Sequence, residues 1–309
     1  FGSASAGNNL QSDTTGQQNQ YGTYGYISSV TSTTTVMSSG TTSDAYVNKS
    51  GDRMIAWCWR AGGAPSADGK AMVDGVETTT AALKTAASAI ITPTRMSVNT
   101  ESGFSVVKWQ APDNTSLINP SIPHGLNQTP DFIIIKSLDD GTQNWMIWHN
   151  SLSNSAADYL QFQPSAKLTA GINIWGGSGP SNNLINFASQ SNLGSNNYSN
   201  NNHIAYCWHS VPGYSAFGLY AGNGDNDNDD DPDPPFIYTG FTPAMVWIKS
   251  ISQINRWYVF DNARSPHNEN DNPLSQNEAT VESSVSTSGY KEIDLLSNCL
   301  LYTSDAADE

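Results

Sequence analysis

With 309 residues and charged side chains at only 13% of them, the chain has room for two or three domains, each able to bury its own core. A formal net charge of −15 repels nucleic acid and anionic lipid, and no apolar run approaches a bilayer-spanning length, which sets aside nucleic-acid binding and membrane insertion. Ser, Thr, Asn and Gly fill the stretches between short apolar runs, the composition of an all-β protein with long polar loops.

Taken in order, residues 1–63 read as the C-terminal part of a preceding β unit. The chain opens on Phe1, neither a start residue nor part of a signal peptide, so it is expected to be cut from something longer. The pentad Ile55-Ala56-Trp57-Cys58-Trp59 is expected to be the last strand of that unit. Residues 64–101 read as a linker, with an Ala-rich run from Thr80 to Ile91 that suits an extended segment or a short helix equally. Residues 102–212 read as a complete antiparallel β-sandwich of jelly-roll or lectin-like type. Its first strand is Gly103 to Trp109, and a Pro-His-Gly-Leu turn at His124 follows.

Next comes the segment TPDFIIIKSLDDGTQNWMIWHNSLS from Thr129, which recurs as TPAMVWIKSISQINRWYVFDNARS from Thr242 with a single-residue indel. In both copies a Pro opens a β-branched and aromatic run closed by Ile-Lys-Ser, a polar turn follows, and a second run returns. That pattern is strand, turn, strand, duplicated at a spacing too long for a solenoid. Other parts of the unit repeat as well. Ile204-Ala205-Tyr206-Cys207-Trp208 is the twin of the pentad at Ile55, and Gly213 to Tyr220 answers the strand at Gly103. The Ile204 pentad is apolar on both faces, which predicts a central strand with Ile, Tyr and Trp on one side and Ala and Cys on the other. Residues 213–298 thus read as a second sandwich lacking its closing strand. Residues 299–309, CLLYTSDAADE, look like the in-frame translation of a transposase-type sequencing adapter and are expected to lie outside the fold.

Cys58 and Cys207 hold the same place in the two pentads and read as small buried hydrophobes. His124, His149, His203, His209 and His267 show no metal-ligand spacing, and His124 suits a turn role. The run Gly224 to Pro235 offers one metal hypothesis, Ca²⁺ held by Asp225, Asp227, Asp229 and Asp231. It lacks the Gly and the bidentate Glu of an EF-hand, its places holding Asp230 and Phe236, so a solvated loop is the plainer reading. Trp109, Trp145, Trp148, Trp247 and Trp257 fall in predicted strands and suit a core; Trp148 and Trp247 alternate in the opposite sense and are the candidates for an outward sugar-stacking surface. No nucleophile elbow, phosphate-binding Gly loop or dinucleotide fingerprint occurs, so neither a catalytic residue nor an organic cofactor is expected.

The segments GFSVV at Gly103, HGL at His124, TPDFIIIK at Thr129, IAYCWHSVPGYSAFG at Ile204, GNG at Gly222, PFIYTGFTPAMVWIK at Pro235, RWYVFDNARSPHN at Arg256 and IDLLSN ending at Asn298 carry a resemblance. The chain resembles a recurring domain of unknown function in large virion structural or tail-associated proteins of marine tailed bacteriophages, above all those of cyanobacteria. The resemblance implies a non-enzymatic component of the extracellular particle. Other virion proteins and further copies of itself are the expected partners, and the polar Ser/Thr/Asn loops suit hydrogen bonding to a host-surface glycan as a ligand. No binding residues are established for the family, so none is carried over. A secreted bacterial carbohydrate-binding module is the second expectation. A glycan depolymerase is the third, and it needs two carboxylates about 5 to 9 Å apart in a cleft.

Overall fold

The computed structural model describes residues 9–18, 25–30, 33–38, 47, 49–112, 119–154, 156–163, 169, 174–188, 200–222, 235–278, 282 and 292–303. In chain order the strands begin with β1 (Tyr26–Val30), β2 (Thr35–Ser38), β3 (Lys70–Val73) and β4 (Val76–Thr79), after which comes the helix α1 (Thr80–Ala87). Then follow β5 (Arg95–Asn99), β6 (Phe104–Gln110), β7 (Ser121–Pro123), β8 (Phe132–Ser137), β9 (Met146–His149), β10 (Leu160–Gln161), β11 (Leu184–Asn186) and β12 (Asn202–Trp208). The last are β13 (Phe236–Tyr238), β14 (Met245–Lys249), β15 (Trp257–Asp261), β16 (Leu274–Ser275), β17 (Glu292–Leu295) and β18 (Cys299–Thr303). The protein is all-β, with one helix among the described residues.

Its centre is an eight-stranded sheet in the order β10-β9-β8-β12-β6-β5-β3-β4, antiparallel except where β3 runs parallel to β5. The pentad at Ile204 lies in β12, between β6 and β8, and its side chains divide as its sequence predicts. Ala205 and Cys207 join one core with Val107, Trp109, Ile133, Ile135, Met146 and Trp148. Ile204 and Trp208 join the other with Phe104, Val106, Phe132, Ile134 and Ile147.

The first core is closed by the β7–β11 ribbon through Ile122 and Ile185, by Ile174 and Trp175, and by Leu83 of α1. Thr79 caps that helix, its hydroxyl accepting from the Ala82 N–H at 3.1 Å, and Ser88 ends it in the left-handed region. The second core is closed by Trp257, with Trp247, Ile251, Phe217, Leu10 and Ala61 packed around it.

Both copies of the repeated segment are antiparallel hairpins, and they share one register. Phe132 faces His149 and Ile133 faces Trp148 in the first; Met245 faces Asp261 and Val246 faces Phe260 in the second. Each Lys-Ser pair does the same work in its turn. Lys136 Nζ donates to the Ser137 carbonyl at 2.9 Å, and Lys249 Nζ to the Asn255 carbonyl at 2.8 Å. The Ser137 and Ser250 hydroxyls accept from the amides three residues on, Asp140 at 3.3 Å and Gln253 at 3.1 Å. The second hairpin, extended by β16, lies on the sheet that contains the first: Trp247 and Trp257 meet Phe132 and Phe162 edge-on or tilted at 5.3 to 6.5 Å.

Four expectations are corrected. Residues 55–59 form no strand and Cys58 is exposed, because no strand among the described residues offers them a ladder; Cys207 alone of the two is a buried hydrophobe. The stretch 64–101 is no linker but supplies β3, β4, α1 and β5 to the sheet and its cover. Residues 213–220 do not repeat the strand at Gly103; after a Val211–Ser215 bridge they run without a ladder, and Phe217 turns inward onto Phe132. Cys299–Thr303 pair with both β13 and β17, with Cys299 and Leu300 buried, so this part of the tail belongs to the fold.

Candidate functional site

The tryptophans put forward for an outward surface face inward. Trp148 is 3% exposed in the first core. Trp247 is half-buried among Phe132, Phe162 and Trp257. Alternation cannot separate inside from outside on a sheet covered on both faces, which is why the opposite sense of these two residues misleads. Trp109, Trp145 and Trp257 are buried as expected.

Asp225, Asp227, Asp229 and Asp231 lie outside the described residues. Among the described residues no group of three or more His, Cys, Asp or Glu is placed to hold a metal.

The buried histidines hold loops. His124 Nδ1 accepts from the Leu126 N–H at 3.2 Å, so Nε2 carries the proton and donates to the Ser181 carbonyl at 3.0 Å. His203 donates from Nδ1 to the Asn201 carbonyl at 3.0 Å and stacks on Trp109. Burial pushes both imidazoles down to about 4, so each is neutral at physiological pH. Lys136 and Lys249 are lowered to about 8, burial again being the main cause.

An exposed constellation lies on the small sheet β13-β18-β17. Strand β13 is its edge and reads Phe-Ile-Tyr, so Phe236 and Tyr238 share a face while Ile237 takes the other. Phe236 is 61% and Tyr238 70% exposed, unusual for large aromatic side chains in a strand. The strand end is anchored: the Thr239 and Gly240 amides both donate to the Asn298 carbonyl at 2.9 Å, and Thr239 Oγ1 donates to the Phe241 carbonyl at 2.6 Å. The phenol of Tyr238 lies over Gly240, which has φ +79° and no side chain to displace it; Oη is 3.5 Å from where a β-carbon would sit.

Across the same sheet Phe236 faces Leu301, and Leu301 faces Asp294, so the three form one row. Asp294 Oδ1 is buried with no hydrogen-bond partner, and burial together with the nearby Glu269 holds the carboxyl above its ordinary range. Phe236 and Tyr238 offer two adjacent aromatic faces that can stack against apolar C–H surface, and the Asp294 carboxyl lies two strands across on the Phe236 row. The signal that could have found them is the Phe-Ile-Tyr alternation itself, immediately after two prolines that confine it to a sheet edge.

Fold and site together define an all-β protein whose exposed aromatic chemistry sits on a sheet edge. The chain belongs to the family described as a domain of unknown function (DUF7483), whose model matches residues 4–309. No curated protein and no solved structure matches it.

Proposed function

We propose that the protein is a non-enzymatic structural component of a bacteriophage virion, tail- or fibre-associated, that contributes to attachment to host-surface glycan. The observation that carries this reading is the duplicated hairpin. The two copies share one register, the second packs on the sheet that the first helps to form, and the repeated Lys-Ser pairs are engaged in holding turns. Such a body suits a rigid building block presenting loops and edges, and many copies on one particle multiply weak contacts into firm attachment. The resemblance to tail-associated phage domains points the same way.

The test is mass spectrometry of purified particles from a marine tailed phage that encodes a full-length relative. Its peptides should appear at structural stoichiometry and survive density-gradient purification. Peptides found only in the host's secreted fraction, beside polysaccharide-degrading enzymes, would overturn the reading in favour of a bacterial module.

A further inference from the structure

We propose that Phe236 and Tyr238 form a stacking platform for a neutral glycan, with Asp294 as the nearby charge that turns acidic glycans away. The inference rests on the attachment role proposed above and names its ligand class.

Residues two apart on a strand are separated by about 6.6 Å, so the two rings offer adjacent faces to successive sugar units of an oligosaccharide. The C–H face of a pyranose is apolar and the face of an aromatic ring carries negative charge density; pressed together they exclude water without ordering a long side chain. Ile237 fastens the strand from the other side while Phe236 and Tyr238 remain open, so the exposure is confined to one face of β13.

Asp294 supplies charge. Its Oδ1 is buried and unpartnered two strand spacings from Phe236, about 9.6 Å away across the sheet, on the row through Leu301. Charge selects among glycans: the chain carries −15 overall, and a carboxylate in the platform row repels uronate and sulfate groups, so the platform takes neutral sugars.

The test uses the full chain on an array of neutral and acidic oligosaccharides, followed by saturation-transfer NMR with the best neutral binder. Neutral oligosaccharides should bind with millimolar-class affinity, with transfer to sugar C–H protons, while uronate-rich and sulfated ones give no signal. Phe236→Ala with Tyr238→Ala should weaken binding at least about tenfold, taking each ring at a few-fold. Asp294→Asn, which removes the charge, should let uronate-rich oligosaccharides bind while leaving neutral binding and ring-current shifts in place; continued exclusion of the acidic ones would overturn its part in selection. Ile254→Ala, an exposed apolar control on the second hairpin's turn, should change nothing. Both rings are largely exposed, so an unchanged melting curve separates lost binding from lost fold. Neutral binding that survives the double substitution would overturn the site and leave the attachment role standing. Absence of neutral binding in the wild type would overturn the inference itself, while the particle assay decides the virion role separately.

Discussion

Lys136 and Lys249 occupy the same position in the two hairpins, and each donates its ammonium to a backbone carbonyl of its own turn, Ser137 at 2.9 Å and Asn255 at 2.8 Å. Burial lowers both from 10.5 to about 8. Between those values the unfolded chain binds more protons than the folded one, so stability rises with pH across that window. Below about 8 the cost of the buried charge is present in full. Lys136→Met removes one titration, so urea midpoints of wild type and variant should diverge in favour of wild type from pH 8 to 10. A difference independent of pH would show that Lys136 carries no such penalty.

The histidines set the acid side. His124 and His203 fall from 6.5 to about 4 in the folded protein because burial disfavours the cation. Their contribution is complete above pH 6.5 and lost as pH falls toward 4, where the unfolded chain takes up protons the folded one refuses. A His203→Phe variant keeps a ring against Trp109 but cannot titrate. Its stability should fall less steeply than wild type between pH 6.5 and 4; parallel curves would refute the assignment.

What was legible in the chain was whatever it states twice or patterns strongly. The hairpins are read from their repetition, and β12 from an apolar pentad whose two faces proved to line two cores. Strand β4, Val-Glu-Thr-Thr, was not legible: it is short, polar and exposed at a sheet edge, and its place comes from pairing with β3. The Ile55 pentad shows the converse, since the same pattern with no strand beside it among the described residues stays unpaired. Strand propensity describes fit to a covered pleated surface, and coverage depends on distant residues. The same limit hid the site, because Phe236 and Asp294 are brought into one row only through Leu301.

The second hairpin is held to the sheet through Trp257, whose indole N–H donates to the Gln161 carbonyl at 2.9 Å and whose ring meets Phe162 at 5.3 Å. Trp257→Phe keeps most of the buried ring and loses the hydrogen bond, an expected cost of about 1 kcal/mol. Trp257→Ala should cost about 3 to 5 kcal/mol. A cycle pairing Phe162→Leu with Trp257→Leu should show a coupling of about 0.5 to 1.5 kcal/mol by chemical denaturation. Strict additivity would mean that the two residues do not join the second hairpin to the sheet energetically.

Gly62 marks where the chain passes closest to the sheet. A β-carbon there would fall 2.0 Å from the Val98 carbonyl oxygen and 2.6 Å from that of Met72, both backbone atoms. Gly62→Ala should therefore cost at least about 2 kcal/mol, because β3 or β5 must move. At Gly218 a β-carbon meets nothing within 4 Å, and Gly218→Ala should leave stability within about 0.5 kcal/mol of wild type or raise it slightly. Equal melting shifts for the two variants would contradict the packing described.

The two hairpins diverge at one buried pair, and that divergence can be tested by reverting it. Asp261 is 2% exposed, and Arg264 Nε donates to its Oδ2 at 2.7 Å while Nη1 donates to the Asn272 carbonyl at 2.5 Å and Nη2 to the Val259 carbonyl at 3.1 Å. The aligned residues of the first copy are His149 and Leu152, which carry no ion pair between them. Arg264→Leu alone strands the Asp261 carboxylate in the interior and should cost about 3 to 5 kcal/mol. Adding Asp261→His removes the stranded charge and restores the first copy's pair on a strand of the same register, so the double variant should be more stable than the single by at least about 1 kcal/mol. If the second substitution deepens the loss instead, the carboxylate is held by its other partner, the Arg264 N–H at 3.0 Å, strongly enough to stand without the guanidinium.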